Sequence, residues 1–392
     1  MSRGCGIIIH IMKFIHTSDW HLGKLLFENR LIDDQAHALA QLIDLAKAEK
    51  PDAIFISGDI YDRAVPSPEA VQLCDETLSK LVLTLKIPVI LIAGNHDSPE
   101  RLDFGSRLFA ANNLFIRGDL KADISPVELQ DKHGKVLVYP LPYAGTELFR
   151  DRLKDATLKD QNAGLAALVA RLKAAHPKNT RSVALAHVFL TGGTTSDSER
   201  PLSIGGSEAV EKTIFSDFNY TALGHLHGPQ KQANNLAYSG SLYKYSFSEK
   251  DHKKRFLLGE MDAKGGCTLK DIPITLRRDL RVVEGKLEEI IKAGRGDKRK
   301  EDYLLARLLD PGPVFDAIGR LREVYPNALH IERPLLAPTA GVAMTCAQRN
   351  QKPLELFSSF YKQVTPAELT KEQAAAFKEG VTAAEKAQGE AE

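Results

Sequence analysis

The stretch Ile54-Phe55-Ile56-Ser57-Gly58-Asp59-Ile60-Tyr61-Asp62 constrains this chain more than any other. Its first half is a short β-branched and aromatic run, the pattern of a buried strand. Gly58 then permits a sharp turn, and a carboxylate follows at once. In open α/β sheets, ligands collect in the crevice outside the carboxyl ends of the strands. Asp59 therefore stands where a catalytic or metal-binding carboxylate belongs. A strand-Gly-Asp sequence alone also makes ordinary βα turns; repetition gives it weight, because four more predicted strands end in the same way.

Met12 to Ser18 is predicted as the first strand and is closed by Asp19-Trp20-His21. Asp33 to Lys50 places Leu39, Leu42, Ile43 and Ala46 at helical spacing before Pro51 stops it. Pro68 to Leu85 is a second predicted helix, and Pro88 to Ala93 a third strand, ending in Gly94-Asn95-His96-Asp97. This alternation implies a largely parallel sheet with helices on its faces. Val136 to Pro140 is a further strand and Leu165 to Ala175 a helix. Val183 to Ala186 ends in His187, and Tyr220 to Leu223 in Gly224-His225-Leu226-His227-Gly228. The flanking glycines let both rings of that last pair turn onto one centre or two adjacent ones.

Asp19, His21, Asp59, Asn95, His187, His225 and His227 thus gather at strand ends. All are oxygen or imidazole donors without a thiolate, a set that suits Mn, Fe or Zn. They are too many for one ion and suit two ions sharing Asp59, each of whose carboxylate oxygens faces one ion. The first ion takes Asp19, His21, Asp59 and His227; the second takes Asp59, Asn95, His187 and His225. Such a pair activates hydroxide for in-line attack on a phosphate. His96 is left to bind the phosphate and protonate the leaving oxygen, with Asp97 or another carboxylate holding its tautomer. Asp97 is thereby a second catalytic candidate.

In order, Asp-x-His, Gly-Asp-x-x-Asp, Gly-Asn-His-Asp, a strand-end His and Gly-His-x-His resemble the motif set of the calcineurin-like metallophosphoesterases. The resemblance covers residues 12 to about 230. It implies an α/β sandwich of two sheets flanked by helices, with a dinuclear site at one edge. A narrower resemblance is to the SbcD family, nuclease subunits of bacterial SbcCD complexes. It rests on Thr17-Ser18-Asp19-Trp20-His21-Leu22-Gly23, on Gly192-Gly193 through Ser196-Asp197-Ser198-Glu199-Arg200 to Gly205-Gly206, and on Tyr238-Ser239-Gly240-Ser241 with Ser246-Phe247-Ser248-Glu249. Ala186, where glycine is common, and Leu242, where proline is often seen, depart from that pattern without removing a ligand.

The narrower resemblance implies two Mn²⁺ ions and ATP-stimulated cleavage of DNA ends and hairpins. It also implies a homodimer of the nuclease subunit within a heterotetramer with the ATPase SbcC. On this reading, 12–275 is the nuclease domain, 276–335 an α+β capping domain, 336–352 a linker and 353–392 a helical segment docking on SbcC. The capping elements are strands at Leu280–Val283, Tyr303–Leu308 and Leu329–Glu332 and helices at Leu287–Ala293 and Val314–Val324. Lys292, Arg295, Lys298, Arg299 and Lys300 form a basic stretch that is either a solvated loop or a DNA contact. Phe357, Phe360, Tyr361 and Val364 share one apolar helix face for the partner, and the tail from Thr370 is helical or disordered.

Composition narrows the setting. With 43% hydrophobic and 26% charged residues the chain is a globular protein, and no apolar run approaches the ~18 residues of a membrane span. Cys5, Cys74, Cys267 and Cys346 are scattered, without metal-binding or disulfide spacing, so a reduced, cytoplasmic setting is expected, and the SbcD resemblance implies association with the nucleoid. Ile7 to Ile11 is too short for a signal-peptide core, and the residues before Met12 have no evident role. A net charge of +1 neither advertises nor excludes a nucleic-acid partner, because a local basic face matters more. Two rivals stay open: a phosphomonoesterase or cyclic-nucleotide phosphodiesterase on the same scaffold, and a non-enzymatic tether that kept the fold.

Overall fold

The side chains of the strand Met12–Thr17 alternate between two faces, and that alternation organises the core. Met12 and Phe14 point into a layer shared with Phe55, Ile90, Val138, Leu185 and Tyr220. Ile15 points the other way, into a layer with Ile54, Ile56 and Leu91 and with Ala38, Leu39, Leu42 and Ala46 of the helix Ile32–Glu49. The computed structural model in which this is seen describes residues 11–121, 124–199, 208–336, 353–365 and 368–389.

Two six-stranded sheets result. The first runs Cys267–Pro273, Arg255–Met261, Met12–Thr17, Ala53–Ser57, Val89–Ile92, Leu114–Arg117. From Met12–Thr17 onward its pairings are parallel, as the strand–helix alternation predicts. The second runs Gln230–Ala233, Leu236–Tyr238, Tyr220–Gly224, Arg181–His187, Gly134–Leu141, Val127–Asp131. Its outer face packs on Leu165, Leu168 and Val169 of the helix Gln161–Ala175. Phe14, Tyr220 and Phe55 meet between the sheets, with ring centroids 4.8 and 5.1 Å from Phe14.

One predicted helix is corrected. It spans Pro68–Ser79, and Lys80–Thr84 continues as a π-helical turn in which the Leu85 N–H bonds the Lys80 carbonyl. The wider turn still buries both Leu81 and Val82 against the first sheet's outer layer. Among the described residues no helix is long and apolar enough to cross a membrane.

The chain divides into two compact units between Leu280 and Arg281. The second contains a three-stranded sheet of Leu280–Gly285, Tyr303–Leu308 and Ala328–Glu332, with helices at Leu287–Gly294 and Ala317–Arg322. Leu287, Ile290, Leu304, Ala306 and Leu321 form its own core. Farther on, the helices Pro353–Val364 and Lys371–Gly389 face each other, with Phe357 stacked on Phe377 at 4.0 Å and Gln373 Nε2 donating to the Tyr361 hydroxyl at 3.2 Å. Residues 1–10, Arg200, Gly205, Gly206, 337–352 of the expected linker and the Val364 side chain lie outside the described residues.

Candidate metal centre

The strands Met12–Thr17, Ala53–Ser57, Val89–Ile92, Arg181–His187 and Tyr220–Gly224 bring all seven predicted donors together at their carboxyl ends. The turns that do so are strained: Asp19, His21, Asp59 and His225 have φ of 51°, 44°, 50° and 110°. Left-handed backbone at a non-glycine residue costs about 1–3 kcal/mol and persists where surrounding contacts over-determine it. Here the Asp19 and His21 N–H groups donate to the Gly58 and Asp59 carbonyls at 3.0 and 2.9 Å, and the His225 N–H donates to Asp19 Oδ1 at 2.9 Å. Gly94 and Gly224 are required by close approach, because a methyl at either would overlap the Asp59 carboxylate or the Ser57 carbonyl.

The donors fall into two clusters that overlap at Asp19 as well as at Asp59, since Asp19 also converges with Asp59 and His187. In one, His21 Nε2 lies 3.0 Å from His227 Nε2 and 3.5 Å from Asp59 Oδ2, and Asp19 belongs to the same group. In the other, Asn95 Oδ1 lies 2.9 Å from His187 Nε2 and 3.1 Å from His225 Nδ1, while His187 Nε2 is 3.4 Å from Asp59 Oδ2. Donor atoms that each bond a cation at ~2.0–2.2 Å lie about this far from one another. Nitrogen and oxygen donors at such spacing, all buried or nearly so, fit a pair of divalent ions.

Electrostatics agree with that use. Burial lowers the His225 imidazole to about 3 and holds His21 well below its ordinary value, so both rings present neutral lone pairs. Burial also works to raise Asp59, but His187 outweighs it and keeps that carboxyl well below the usual range. Burial works to lower His187, and Asp59 reverses this, raising it to about 9. Burial pushes Asp19 up to about 6 against the pull of His187 and His227. A cation beside Asp59 and His187 would supply the positive charge that the His187 proton supplies here.

Two expectations need correction. Asp59 does not turn one oxygen to each cluster: Oδ1 accepts the His96 N–H at 2.8 Å, and Oδ2 alone faces both His21 and His187. Nor does Asp97 hold the His96 ring. Its carboxylate accepts the N–H groups of Gly94, Ile60 and Tyr61 at 2.9, 3.1 and 3.0 Å, and it shapes the loop. His96 Nδ1 instead lies 2.9 Å from the Asp62 carbonyl, which places the Nδ1 proton there and leaves Nε2 turned to the cluster, 4.0 Å from Asp59 Oδ2.

Other residues enter without having been predicted as site members. Asp62 Oδ1 bonds Lys24 Nζ at 2.7 Å and lies 3.6 Å from His21 Nδ1. Gln35 Nε2 donates to the His21 carbonyl at 2.7 Å, and Tyr245 sets its ring 5.4 Å from His21 and 5.7 Å from His227. Ser198, Glu199 and Glu249, noticed in the sequence only as motif members, stand behind His227. The basic residues Lys292, Arg295, Lys298, Arg299 and Lys300 lie on the surface, and Arg299 pairs with Asp302 at 2.9 Å.

Residues 12–229 match the model of the calcineurin-like phosphoesterases. The chain belongs to that family. As a calcineurin-like phosphoesterase it is a metal-dependent hydrolase of phosphate esters. Residues 276–365 match SbcD_C, described as the type 5 capsule protein repressor C-terminal domain. Among solved structures, this phosphoesterase is similar to the TT1561 protein of Thermus thermophilus, at 14% identity over 68% of this chain and 100% of that one, with a TM-score of 0.41. A dimetal phosphatase from Danio rerio matches at 13% identity over 68% of this chain and 99% of its own, with a TM-score of 0.40. GAP50, the anchor in the inner membrane complex of Plasmodium, matches at 11% identity over 85% and 99%, with a TM-score of 0.38.

Proposed function

We propose that this phosphoesterase is a Mn²⁺-dependent DNA nuclease, an exonuclease on double-strand ends and an endonuclease on hairpins and single strands. It works with the ATPase SbcC in the cytoplasm, in DNA repair, recombination and replication. The observation that carries the reading is a buried two-cluster donor set followed in the same chain by an SbcD_C domain. Asp19, His21, Asp59 and His227 would hold one ion, and Asp59, Asn95, His187 and His225 the other. When bound, two such ions polarise a phosphodiester and lower the pKa of water towards ~7. His96, its Nδ1–H donated to the Asp62 carbonyl, would as an imidazolium hold the phosphate through Nε2–H and give that proton to the leaving oxygen.

The test is digestion of blunt, hairpin and single-stranded DNA with Mn²⁺, with and without SbcC and ATP. Cleavage that rises with SbcC and ATP is expected. Hydrolysis of a chromogenic phosphomonoester but of no DNA would overturn the nuclease reading in favour of a small-substrate phosphatase.

The partner surface has its own prediction. Phe360 is 53% exposed on the helix Pro353–Val364, while Phe357 and Tyr361 contact the helix that follows. Phe360→Glu with Tyr361→Ser should abolish co-purification with SbcC and ATP-stimulated cleavage and spare Mn²⁺-dependent activity on short DNA. A double variant that melts earlier by itself yet still captures SbcC would show that the face serves only its own chain.

An exposed apolar surface in the first unit supports a homodimer. Leu83, Phe104 and Phe109 are 52%, 82% and 41% exposed and line one cavity of about 550 Å³, with Leu108 at 75% nearby in sequence. Phe104→Ser with Leu108→Asp should convert a dimer to a monomer in light scattering. An unchanged mass would place the dimer contact elsewhere.

A further inference from the structure

His227 is held from behind at its ring and at both peptide groups. Its Nδ1 lies 2.6 Å from Ser198 Oγ and 3.3 Å from Glu249 Oε1. Its N–H donates to Glu199 Oε1 at 2.6 Å, and its carbonyl accepts from Lys254 Nζ at 2.8 Å. Glu249 and Lys254 pair directly, and both side chains are 0% exposed. Lys254 Nζ also donates to Ser241 Oγ at 2.7 Å, while the Ser241 N–H donates to the His227 carbonyl at 3.1 Å. Neither member of the pair belongs to the groups of converging donors.

An ammonium and a carboxylate buried together carry a desolvation cost that an apolar pair of the same volume avoids. Fold stability alone therefore does not account for them here. Their hydrogen bonds do. To hold an ion together with His21 and Asp19, His227 must present an Nε2 lone pair, so its ring proton sits on Nδ1. That proton is donated to Ser198 Oγ, whose own hydroxyl donates to Glu249 Oε1. The carboxylate thus sets the tautomer through the serine, and Lys254 holds the carboxylate and the His227 carbonyl in one grip. A metal-bound histidine depends on such partners for ring orientation and basicity.

We propose that the buried Glu249–Lys254 pair, acting through Ser198, is the positioning unit that aims His227 at the ion shared with Asp19 and His21. It rests on the two-ion reading above. It adds that the two ions answer to different supports, because the ring of His187 is anchored instead by the Ser57 carbonyl at 2.9 Å. Disturbing the pair should weaken one ion and leave the other.

The experiment is a Mn²⁺ binding isotherm, with EPR of the bound Mn²⁺, on the full chain and on Glu249→Ala, Glu249→Gln and Ser198→Ala. Outer-shell changes of this kind cost about 10–100-fold in metal affinity. Glu249→Ala should show that loss at one of two sites, and Glu249→Gln, which keeps an acceptor for the serine, a smaller loss at the same site. Ser198 lies in a loop outside the helices and strands, so Ser198→Ala should weaken the same ion with an unchanged melting temperature; it keeps the test decisive if Glu249→Ala fails to fold. Wild-type affinity at both sites in Ser198→Ala, or equal weakening of both ions, overturns the proposal. A wild-type chain that binds no second ion overturns the two-ion reading itself, before any variant is measured, and takes the proposal with it.

Discussion

Asp59→Asn is expected to bind neither ion tightly and to lose phosphodiester hydrolysis. The Asp59 side chain sits at the junction of both clusters, its Oδ2 3.5 Å from His21 Nε2 and 3.4 Å from His187 Nε2. An amide keeps the acceptor for the His96 N–H but turns a neutral, partly donating group towards two cations. Loss of metal removes several kcal/mol of transition-state charge stabilisation, which corresponds to a fall of ~10³-fold or more in rate. The fold should survive, because the substitution removes a buried charge and not a packing group. Metal analysis checks it: two ions per chain at wild-type affinity would contradict the shared carboxylate.

His96→Ala is expected to keep its metal and lose turnover. Its Nδ1 is committed to the Asp62 carbonyl at 2.9 Å, and its ring stands edge-on to His21 with centroids 4.6 Å apart. Loss of a general acid slows turnover by ~10²–10⁴-fold. Distance alone leaves a second role open to this ring, since Nε2 is 4.0 Å from Asp59 Oδ2 and His21, Asp59 and His96 form one of the converging groups. The two roles separate in one measurement. A variant that is slow but retains two ions supports the acid, and a variant that drops to one ion makes His96 a ligand.

The donors were legible because each is written locally, as an apolar run, a turn and a ligating residue within a few positions. The same marks located the strands that bear them. Arg255–Met261 and Cys267–Pro273 went unpredicted because they complete the first sheet from the far side and carry no ligand at their ends. The hairpin of Leu25–Leu26 with Asn29–Arg30 was equally silent, since its turn uses Phe27 and Glu28 at φ of 46° and 67° where glycine or asparagine would have announced it.

The supporting shell was hidden for a different reason. Ser198 and Glu249 reach His227 across 29 and 22 residues of sequence, and Lys254, at the entrance to Arg255–Met261 of the first sheet, reaches it across 27. Asp97 shows the limit from the other side. Its place in Gly-Asn-His-Asp was plain, yet a carboxylate beside a histidine reads as that histidine's partner. Only the fold reveals that three backbone N–H groups from two strand ends claim it first.

Asp59 Oδ2 is expected to stand between two ions. The direct measurement is anomalous scattering at the manganese edge from crystals grown with Mn²⁺. Two peaks are expected, one surrounded by Asp19, His21 and His227 and the other by Asn95, His187 and His225, with Asp59 Oδ2 between them. A single peak, or one ligated by His96 in place of His227, would contradict it.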